Sequence, residues 1–339
     1  MLVLTNCLTD IVDEGCLKLS NSLIKRIKEK DSSVSILTYE REHQLSDEHF
    51  KTNKLLLNFN LIRRLRKNKE RVLYVPFSSN TLPTALRIFV LSLFAKGKVD
   101  TLLSMRGEYG FAAKMLMKMS KSRIIVFSRE SYDMYRSFLA EKKLVYLKAG
   151  VDSKRFCPVS CEQKLRLKEK YGFDKDTRVV LHVGHLNSGR NVQKLLDVDQ
   201  KYHRVLVSST LTKNEQDKKL KEALQNGNVR IIESYIKNIE EIYQLSDVYL
   251  FPTQTLGSCI DIPLSCMEAA ACSVPVVATT YGELSQVIDC DGFYRIRSFE
   301  KDAINKLIDT AINEKKDPRN TALLYDWDNA VELILQETA

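Results

Sequence analysis

The chain has 339 residues, of which 44% are apolar and 28% are charged. These proportions are typical of soluble globular domains, and they exclude disordered and fibrous classes. The length exceeds what one hydrophobic core usually serves, so two domains of about 150 residues each are expected. The apolar run at 88–95 is far shorter than the roughly 20 residues that cross a bilayer, so no spanning helix is expected.

The first residues and the cysteines indicate the compartment. Residues 1–15 lack a basic segment and contain Asp10, Asp13 and Glu14, which is unlike a secretory signal. The eight cysteines are scattered, with no C-x-x-C pair and no histidine at metal-ligand spacing. We therefore expect a cytoplasmic protein with reduced cysteines, no disulfide framework and no bound metal.

Positive charge is concentrated in the first half of the sequence. The net charge is +9, but residues 1–160 contain 29 Lys and Arg against 16 Asp and Glu, a balance of +13. The remaining residues contain 23 against 27, a balance of −4. This asymmetry predicts that the first half meets an anionic surface or acceptor.

Short β-branched runs alternate with amphipathic segments through residues 1–160. This rhythm predicts a parallel sheet with crossover helices, a doubly wound domain. The predicted strands begin at residues 2, 34, 71, 101, 123 and 144, and helices are predicted at 17–29 and 82–96.

The same rhythm restarts after a segment of mixed charge at 153–168, which is the predicted linker. Strands are predicted to begin at residues 178, 204, 229, 248 and 275, with helices near 190, 214, 238 and 264. The fold class is thus α/β, with two Rossmann-like doubly wound domains. We place the first domain at 1–155, the second at 156–320, and at 321–339 a C-terminal helix that packs back toward the first domain.

Two segments of the second half carry candidate chemistry. In 181–191 a buried strand ends at Gly184, a polar loop with Gly189 follows, and Arg190 opens the predicted helix near 190. A diphosphate there would meet free N–H groups, the helix dipole and a cation. The alternative is an ordinary strand-to-helix loop with a solvated arginine.

The second segment is 257–283. Pro263 suits the first position of a helix, and Glu268 follows five residues later beside three alanines. A carboxylate so close to an alanine-rich face needs a partner, and the hydroxyls of a ribose are one possibility. A bond from Glu268 to the backbone or to a nearby lysine is the other.

At this point the sequence resembles the retaining glycosyltransferases of the GT-B fold, in particular the family 4 group. The resemblance rests on the inter-domain motif at 146–158, the phosphate loop at 183–191, and the stretches at 242–255 and 262–283, with Trp327 as the aromatic of the closing helix. It covers roughly residues 140–335. The first half of the chain resembles the family in topology only. It implies two Rossmann-like domains that face each other across a cleft, the second of which binds the donor.

The resemblance also implies roles for individual residues. Arg190 matches the lysine that binds the donor diphosphate, and Glu268 matches the second glutamate of the family pair, which holds the ribose hydroxyls. Asp261 lies beside Ile260, which stands where the family has its first glutamate, so Asp261 is the expected substitute. The remaining predicted substrate-binding residues are Gly15, Gly184, His185, Ile262, Pro263 and Leu264.

The implied activity is transfer of a hexose from a nucleotide-sugar to a glycan acceptor, with retention of anomeric configuration and without a metal or other cofactor. Charge that builds on the leaving diphosphate would be stabilised by cations and helix N-termini. The leaving phosphate itself would take the acceptor's proton. A nucleotide-sugar epimerase of related fold and a degenerate non-catalytic relative remain the alternatives.

Basic segments at 55–74, 86–98 and 111–123 interleave with apolar residues. Helices of this composition can lie in an anionic membrane interface, although ordinary crossover helices share the pattern. With the charge asymmetry, they favour a peripheral enzyme on the cytoplasmic face that acts on a lipid-linked acceptor in cell-surface polysaccharide synthesis of the bacterial type. A nucleic-acid partner, including nucleic-acid glucosylation, is not expected, because no recognition motif is present.

Overall fold

The computed structural model describes residues 1–12, 14–67, 69–209 and 217–336. These residues form two compact units. The first contains 1–148 and 327–336 together with the short segment 260–262, and the second contains 149–259 and 263–326.

The first unit has a parallel sheet, with a helix between most pairs of successive strands. Its described strands are β1 Leu2–Thr5, β2 Ser35–Tyr39, β3 Glu48–Phe50, β4 Val72–Val75, β5 Val99–Leu103, β6 Arg123–Val126 and β7 Leu144–Tyr146. Its helices up to the end of β7 are α1 Gly15–Lys30, α2 Phe59–Lys67, α3 Leu82–Phe94, α4 Phe111–Met119 and α5 Arg129–Arg136. The strand order β3-β2-β1-β4-β5-β6-β7 reverses direction between β1 and β4.

The second unit repeats this organisation. Its described strands are β8 Val179–Gly184, β9 His203–Ser208, β10 Arg230–Ile232, β11 Val248–Phe251, β12 Val276–Ala278 and β13 Phe293–Arg295. Its helices are α6 Cys161–Lys170, α7 Lys218–Asn226, α8 Glu240–Leu245, α9 Leu264–Ala271, α10 Lys301–Glu314 and α11 Arg319–Leu323. The order β10-β9-β8-β11-β12-β13 reverses between β8 and β11, and the described pairings are parallel.

The predicted fold class, α/β with two doubly wound units, is confirmed. Strands β1, β4 and β11 are buried at every position, because helices cover both faces of a parallel sheet. This explains why these strands read as continuous apolar runs in the sequence rather than as an alternating pattern.

One local prediction was wrong. The α-helix expected to start at Arg190 is instead two 3₁₀ segments, Ser188–Arg190 and Val192–Leu196. Asn191 separates them with a φ of 56°, a left-handed conformation that a continuous helix cannot contain. The helix expected near residue 214 begins at Lys218 in the described chain, and residue 214 lies outside the described residues.

The last helix, α12 Trp327–Gln336, belongs to the first unit. A buried ion-pair network holds it there. Asp100 on β5 accepts from Arg123 Nε at 2.7 Å and also from Arg71 Nε. Arg71 Nη1 donates in turn to the carbonyl of Ile334 on α12 at 2.6 Å. Arg71 is therefore a buried cation whose charge has a partner.

No helix among the described residues is both long and apolar enough to cross a membrane.

Candidate functional site

Strand β8 lies at the point where the strand order of the second sheet reverses. It pairs with β9 on one side and with β11 on the other, and its carboxyl end is Gly184. Loops that leave neighbouring strands in opposite directions open a crevice at such a point, which is where open α/β sheets bind ligands. The residues after Gly184 are therefore the first candidates for a binding site.

The backbone that follows Gly184 is tied to the loop after β11. Asn187 Oδ1 accepts from the Arg190 amide at 3.1 Å, and the Thr253 hydroxyl donates to the Arg190 carbonyl at 3.2 Å. Asn191 Nδ2 donates to the Pro252 carbonyl at 3.2 Å. These bonds fix the main chain on both sides of Arg190, so its side chain leaves from a defined position.

Gly189 is required by close packing within this loop. A Cβ built on Gly189 would lie 2.3 Å from Ser258 Oγ, well inside any real contact. A larger residue at 189 would require either the Ser258 side chain or the loop to move.

The Arg190 side chain is buried without a counter-charge. It is 6% exposed, its Nε has no hydrogen-bond acceptor, and no carboxylate among the described residues forms an ion pair with it. A buried charge without a partner is costly, so structures rarely retain one unless a ligand completes it. The guanidinium offers a planar fork of N–H donors that matches phosphate and carboxylate oxygens. The described residues supply no such partner, and a bound anion would supply one.

His182 lies two residues before Gly184 on β8 and is fully buried. Its Nδ1 is 2.8 Å from the Leu250 carbonyl oxygen, and its ring stacks against Tyr249 and Phe251 with centroid separations of 6.1 and 6.2 Å. Burial lowers the pKa of His182 to about 4, with Arg190 contributing in the same direction. The imidazole is therefore neutral at pH 7, and its Nε2 has no hydrogen-bond partner.

The side chains of His182 and Arg190 both lie close to Gly184. A Cβ built on Gly184 would lie 3.2 Å from His182 Nε2 and 3.6 Å from both Cζ and Nη1 of Arg190. The unpaired imidazole nitrogen and the unpaired guanidinium therefore border the same small volume. His185 follows directly and is half-buried.

Helix α9 carries the second group of predicted residues. Pro263 precedes it, Leu264 begins it, and Glu268 lies on a face that is buried. The Tyr243 hydroxyl donates to Glu268 Oε2 at 2.9 Å, which orients the carboxylate. Burial and the nearby Glu268 carboxylate hold the pKa of Tyr243 well above its usual range, so the phenol keeps the proton that it donates.

Three predicted residues belong to the first unit: Gly15, Asp261 and Ile262. Asp261 is buried, and its carboxylate accepts from Arg106 Nε at 2.9 Å and from the Ser131 hydroxyl. Burial raises the pKa of Asp261, while Arg106 and Ser131 oppose the shift. Asp261 is thus surrounded by donors.

Gly15, the first residue of α1, is packed against the residue before Asp261. A Cβ built on Gly15 would lie 3.5 Å from the side chain of Ile260. An apolar side chain occupies this position, where the sequence resemblance would place a glutamate.

The predicted residues therefore fall into two groups. The second unit holds Gly184, His185, Arg190, Pro263, Leu264 and Glu268, and the first holds Gly15, Asp261 and Ile262. The role of His182 and the partners Tyr243 and Arg106 were missed by sequence reasoning. A histidine inside an otherwise apolar strand was the one available signal. In the described parts of the chain no three His, Cys, Asp or Glu residues are grouped as metal ligands.

Residues 163–322, within the second unit, match the family described as "Glycosyl transferases group 1". No curated protein sequence matches the chain. Similar folds occur among solved structures. HepE from Anabaena, solved in complex with UDP, has a TM-score of 0.79 at 15% identity over 99% of this chain and 98% of that one.

Two further structures show the same likeness. A glycosyltransferase from Rickettsia africae ESF-5 has a TM-score of 0.76 at 15% identity, over 99% of this chain and 97% of that one. WaaG, a glycosyltransferase involved in lipopolysaccharide biosynthesis, has a TM-score of 0.69 at 11% identity over 100% of both chains. The fold is therefore GT-B. The family match and the fold together support a group 1 glycosyltransferase, and hence an enzyme.

The unpaired charge of Arg190 predicts that its removal stabilises the unliganded protein. Arg190→Met replaces a buried, uncompensated cation with an apolar side chain of similar length, which should raise the free energy of unfolding by about 1 to 3 kcal/mol. Arg71→Met is the matched control, because Arg71 is equally buried but paired with Asp100. The control should lose roughly 3 to 5 kcal/mol.

Thermal unfolding of the two variants, followed by circular dichroism, measures both changes. One kcal/mol shifts Tm by roughly 2 to 4 °C in a unit of this size. A loss of stability in both variants would mean that Arg190 has an internal partner, and the anion-site assignment would fail.

Proposed function

We propose that this protein transfers a sugar from a nucleoside diphosphate sugar to a glycan acceptor, and that Arg190 binds the donor diphosphate. The observation that carries the proposal is the buried guanidinium beside Gly184, at the reversal point of the second sheet, which forms no ion pair with the described residues. HepE supports the choice of donor, since it has been solved with UDP, with UDP and glucose, and with UDP-glucose.

In the proposed reaction the bond between the anomeric carbon and the diphosphate oxygen breaks, and negative charge builds on the leaving diphosphate. The guanidinium of Arg190, whose main chain is held by hydrogen bonds to Asn187 and Thr253, stabilises that charge. The acceptor oxygen attacks from the side of the leaving group, so the configuration is retained. The leaving phosphate takes the acceptor's proton, and neither a metal nor another cofactor takes part.

Glu268 is proposed to hold the ribose hydroxyls of the nucleotide. Its carboxylate is oriented by Tyr243 before any ligand arrives. A carboxylate accepts hydrogen bonds from both hydroxyls of a ribose, which fits the role that the sequence resemblance implies. His185 and Leu264, together with the backbone at Gly184 and Pro263, are proposed to line the donor site.

Asp261 is the residue whose proposed role changes most from the expectation based on sequence. Its bonds to Arg106 and Ser131, and that of its amide to the Ser104 carbonyl at 2.9 Å, favour an anchoring role in the first unit. We therefore propose that Asp261 fixes segment 260–262, including Ile262, and does not contact the donor sugar. Gly15 remains a proposed substrate contact at the start of α1.

Arg190→Ala should lower donor-dependent kcat/KM by some 10- to 150-fold, since a charge-assisted hydrogen bond contributes about 1.5 to 3 kcal/mol. The matched control is Arg178→Ala. Arg178 directly precedes β8, at the end of the strand opposite to Gly184. It forms an ion pair with Asp247 in which the arginine side chain is exposed. This control should retain kcat/KM within about twofold.

The assay is release of nucleoside diphosphate from UDP-sugars, with and without a glycan acceptor. A transferase releases it in quantity only when the acceptor is present, whereas an epimerase converts the donor alone. Wild-type kinetics in Arg190→Ala would refute the assigned site, and donor conversion without an acceptor would refute the assigned reaction.

A surface on α4 of the first unit supports an acceptor held at a membrane. Phe111, Met115 and Met119 recur every four residues on one side of the helix, and Phe111 is 81% and Met119 61% exposed. Lys114 and Lys118 flank this stripe and are also exposed. We call these five residues the α4 stripe. An exposed apolar stripe bordered by lysines suits the headgroup region of an anionic bilayer.

We therefore propose that the α4 stripe docks on the cytoplasmic face of an anionic membrane, where the acceptor is a lipid-linked glycan. The positive balance of residues 1–160 adds long-range attraction to the same lipids. WaaG, one of the structural neighbours, is described as acting in lipopolysaccharide biosynthesis. A cell-surface polysaccharide is accordingly the proposed product class.

Neutralising two lysines of the α4 stripe, Lys114→Gln with Lys118→Gln, should weaken binding to phosphatidylserine-containing vesicles roughly 30-fold, at about 1 kcal/mol for each charge. The same change at the exposed Lys218 and Lys219 of α7, in the second unit, is the control and should have little effect.

Co-sedimentation at increasing salt measures the partitioning. Exposed charges are screened over about 8 Å at physiological ionic strength, so binding should decline steeply with salt. If the wild-type protein partitioned equally to neutral and anionic vesicles at low salt, the membrane proposal would be wrong.

A further inference from the structure

The hydrogen bond at Nδ1 determines which nitrogen of His182 carries the proton. A carbonyl oxygen only accepts hydrogen bonds, so the 2.8 Å contact with Leu250 requires the hydrogen on Nδ1. In the neutral ring Nε2 is then a lone-pair acceptor. The ring cannot easily turn away, because Tyr249 and Phe251 stack against it at interplanar angles of 14° and 17°.

This acceptor is unsuited to binding a phosphate directly. A lone pair repels phosphate oxygens, and burial lowers the pKa of His182 to about 4, so the ring does not become a cation near neutral pH. The hydrogen-bond partner of Nε2 must therefore be a donor.

Arg190 is the donor that the structure offers. Its Nε is buried and lacks an acceptor, just as His182 Nε2 is buried and lacks a donor. Both side chains border the position of a Cβ on Gly184, at 3.2 Å for Nε2 and 3.6 Å for the guanidinium. Two complementary unsatisfied groups therefore border the same small space beside Gly184, which has no side chain.

We infer that His182 is a positioning residue: when the donor binds, its Nε2 accepts a hydrogen bond from the Arg190 guanidinium and thereby aims the remaining N–H groups at the donor diphosphate. This inference rests on the proposed function, because it assigns the diphosphate as the anion. One N–H of the five is used to fix the orientation of the fork, and the others remain for phosphate oxygens.

This role accounts for the neutral imidazole at 182 and for the glycine at 184. A neutral imidazole can hold a cation without cancelling its charge, whereas a carboxylate in the same place would compete with the diphosphate for Arg190. A methyl group at position 184 would lie 3.2 Å from His182 Nε2, closer than an ordinary contact, and 3.6 Å from the Arg190 guanidinium, so glycine leaves this space to the two side chains.

Three substitutions at position 182 distinguish the effect of the Nε2 acceptor from the effects of the Nδ1 donor and of the stacked ring. His182→Gln can place an oxygen acceptor near the position of Nε2, and His182→Asn can keep a donor near the position of Nδ1 for the Leu250 carbonyl. His182→Phe keeps the stacked ring and loses both polar groups. For UDP binding measured by calorimetry, we expect roughly tenfold weaker affinity in the Phe and Asn variants and near wild-type affinity in the Gln variant.

A double-mutant cycle tests whether the effect passes through Arg190. His182→Phe should weaken UDP binding about tenfold in the wild-type background and should add nothing in an Arg190→Ala background. Uridine, which has no phosphate, should bind all variants equally. Thermal unfolding checks that each variant is folded.

The outcomes distinguish this inference from the proposed function. If the wild-type protein bound none of the nucleoside diphosphates tested, the proposed function would fail. If it bound UDP but His182→Phe weakened binding equally in both backgrounds, His182 would act independently of Arg190 and the inference would be overturned. Rescue by Asn rather than Gln would also overturn it, because the bond to Leu250 would then be the one that matters.

Discussion

The second unit buries a cation, Arg190, for which its described residues provide no counter-charge. Arg190 is buried at the carboxyl end of β8, its backbone is bonded to Asn187 and Thr253, and its guanidinium has no counter-ion among the described residues. Such a charge is costly to bury, and an anion bound beside it would compensate for that cost. A stability cost of this kind is common at binding sites, where groups are arranged for a ligand rather than for the fold alone.

The fold explains why this site can be rigid. Reversal of strand order at β8 opens a crevice without any irregular strand, and the parallel neighbours β9 and β11 hold Gly184 in place. His182 and Tyr249 are stacked within the same two strands. The side chains that border Gly184 therefore leave from sheet positions and from a loop fixed by hydrogen bonds, which limits the reorganisation that ligand binding requires.

Much of this architecture could be predicted from the sequence, because most strands are apolar runs and helical segments lie between them in the sequence. The edge strands β3 and β13 were missed because each is short and contains a charged residue, Glu48 or Arg295, instead of a continuous apolar run. The helix expected at Arg190 fails because Asn191 adopts a left-handed conformation and bonds to Pro252, a long-range contact that local propensity does not contain. The pairing of Asp261 with Arg106 and Ser131 likewise joins residues at least 130 positions apart.

The central claim is that Arg190 and the backbone near Gly184 receive the diphosphate of a nucleotide-sugar. A crystal structure of the protein with a bound nucleoside diphosphate tests it most directly. The account predicts a phosphate oxygen within about 2.7 to 2.9 Å of an Arg190 nitrogen, with a second nitrogen of the same side chain facing His182 Nε2. A diphosphate bound elsewhere on the chain, with the Arg190 side chain unchanged and unpaired, would contradict it.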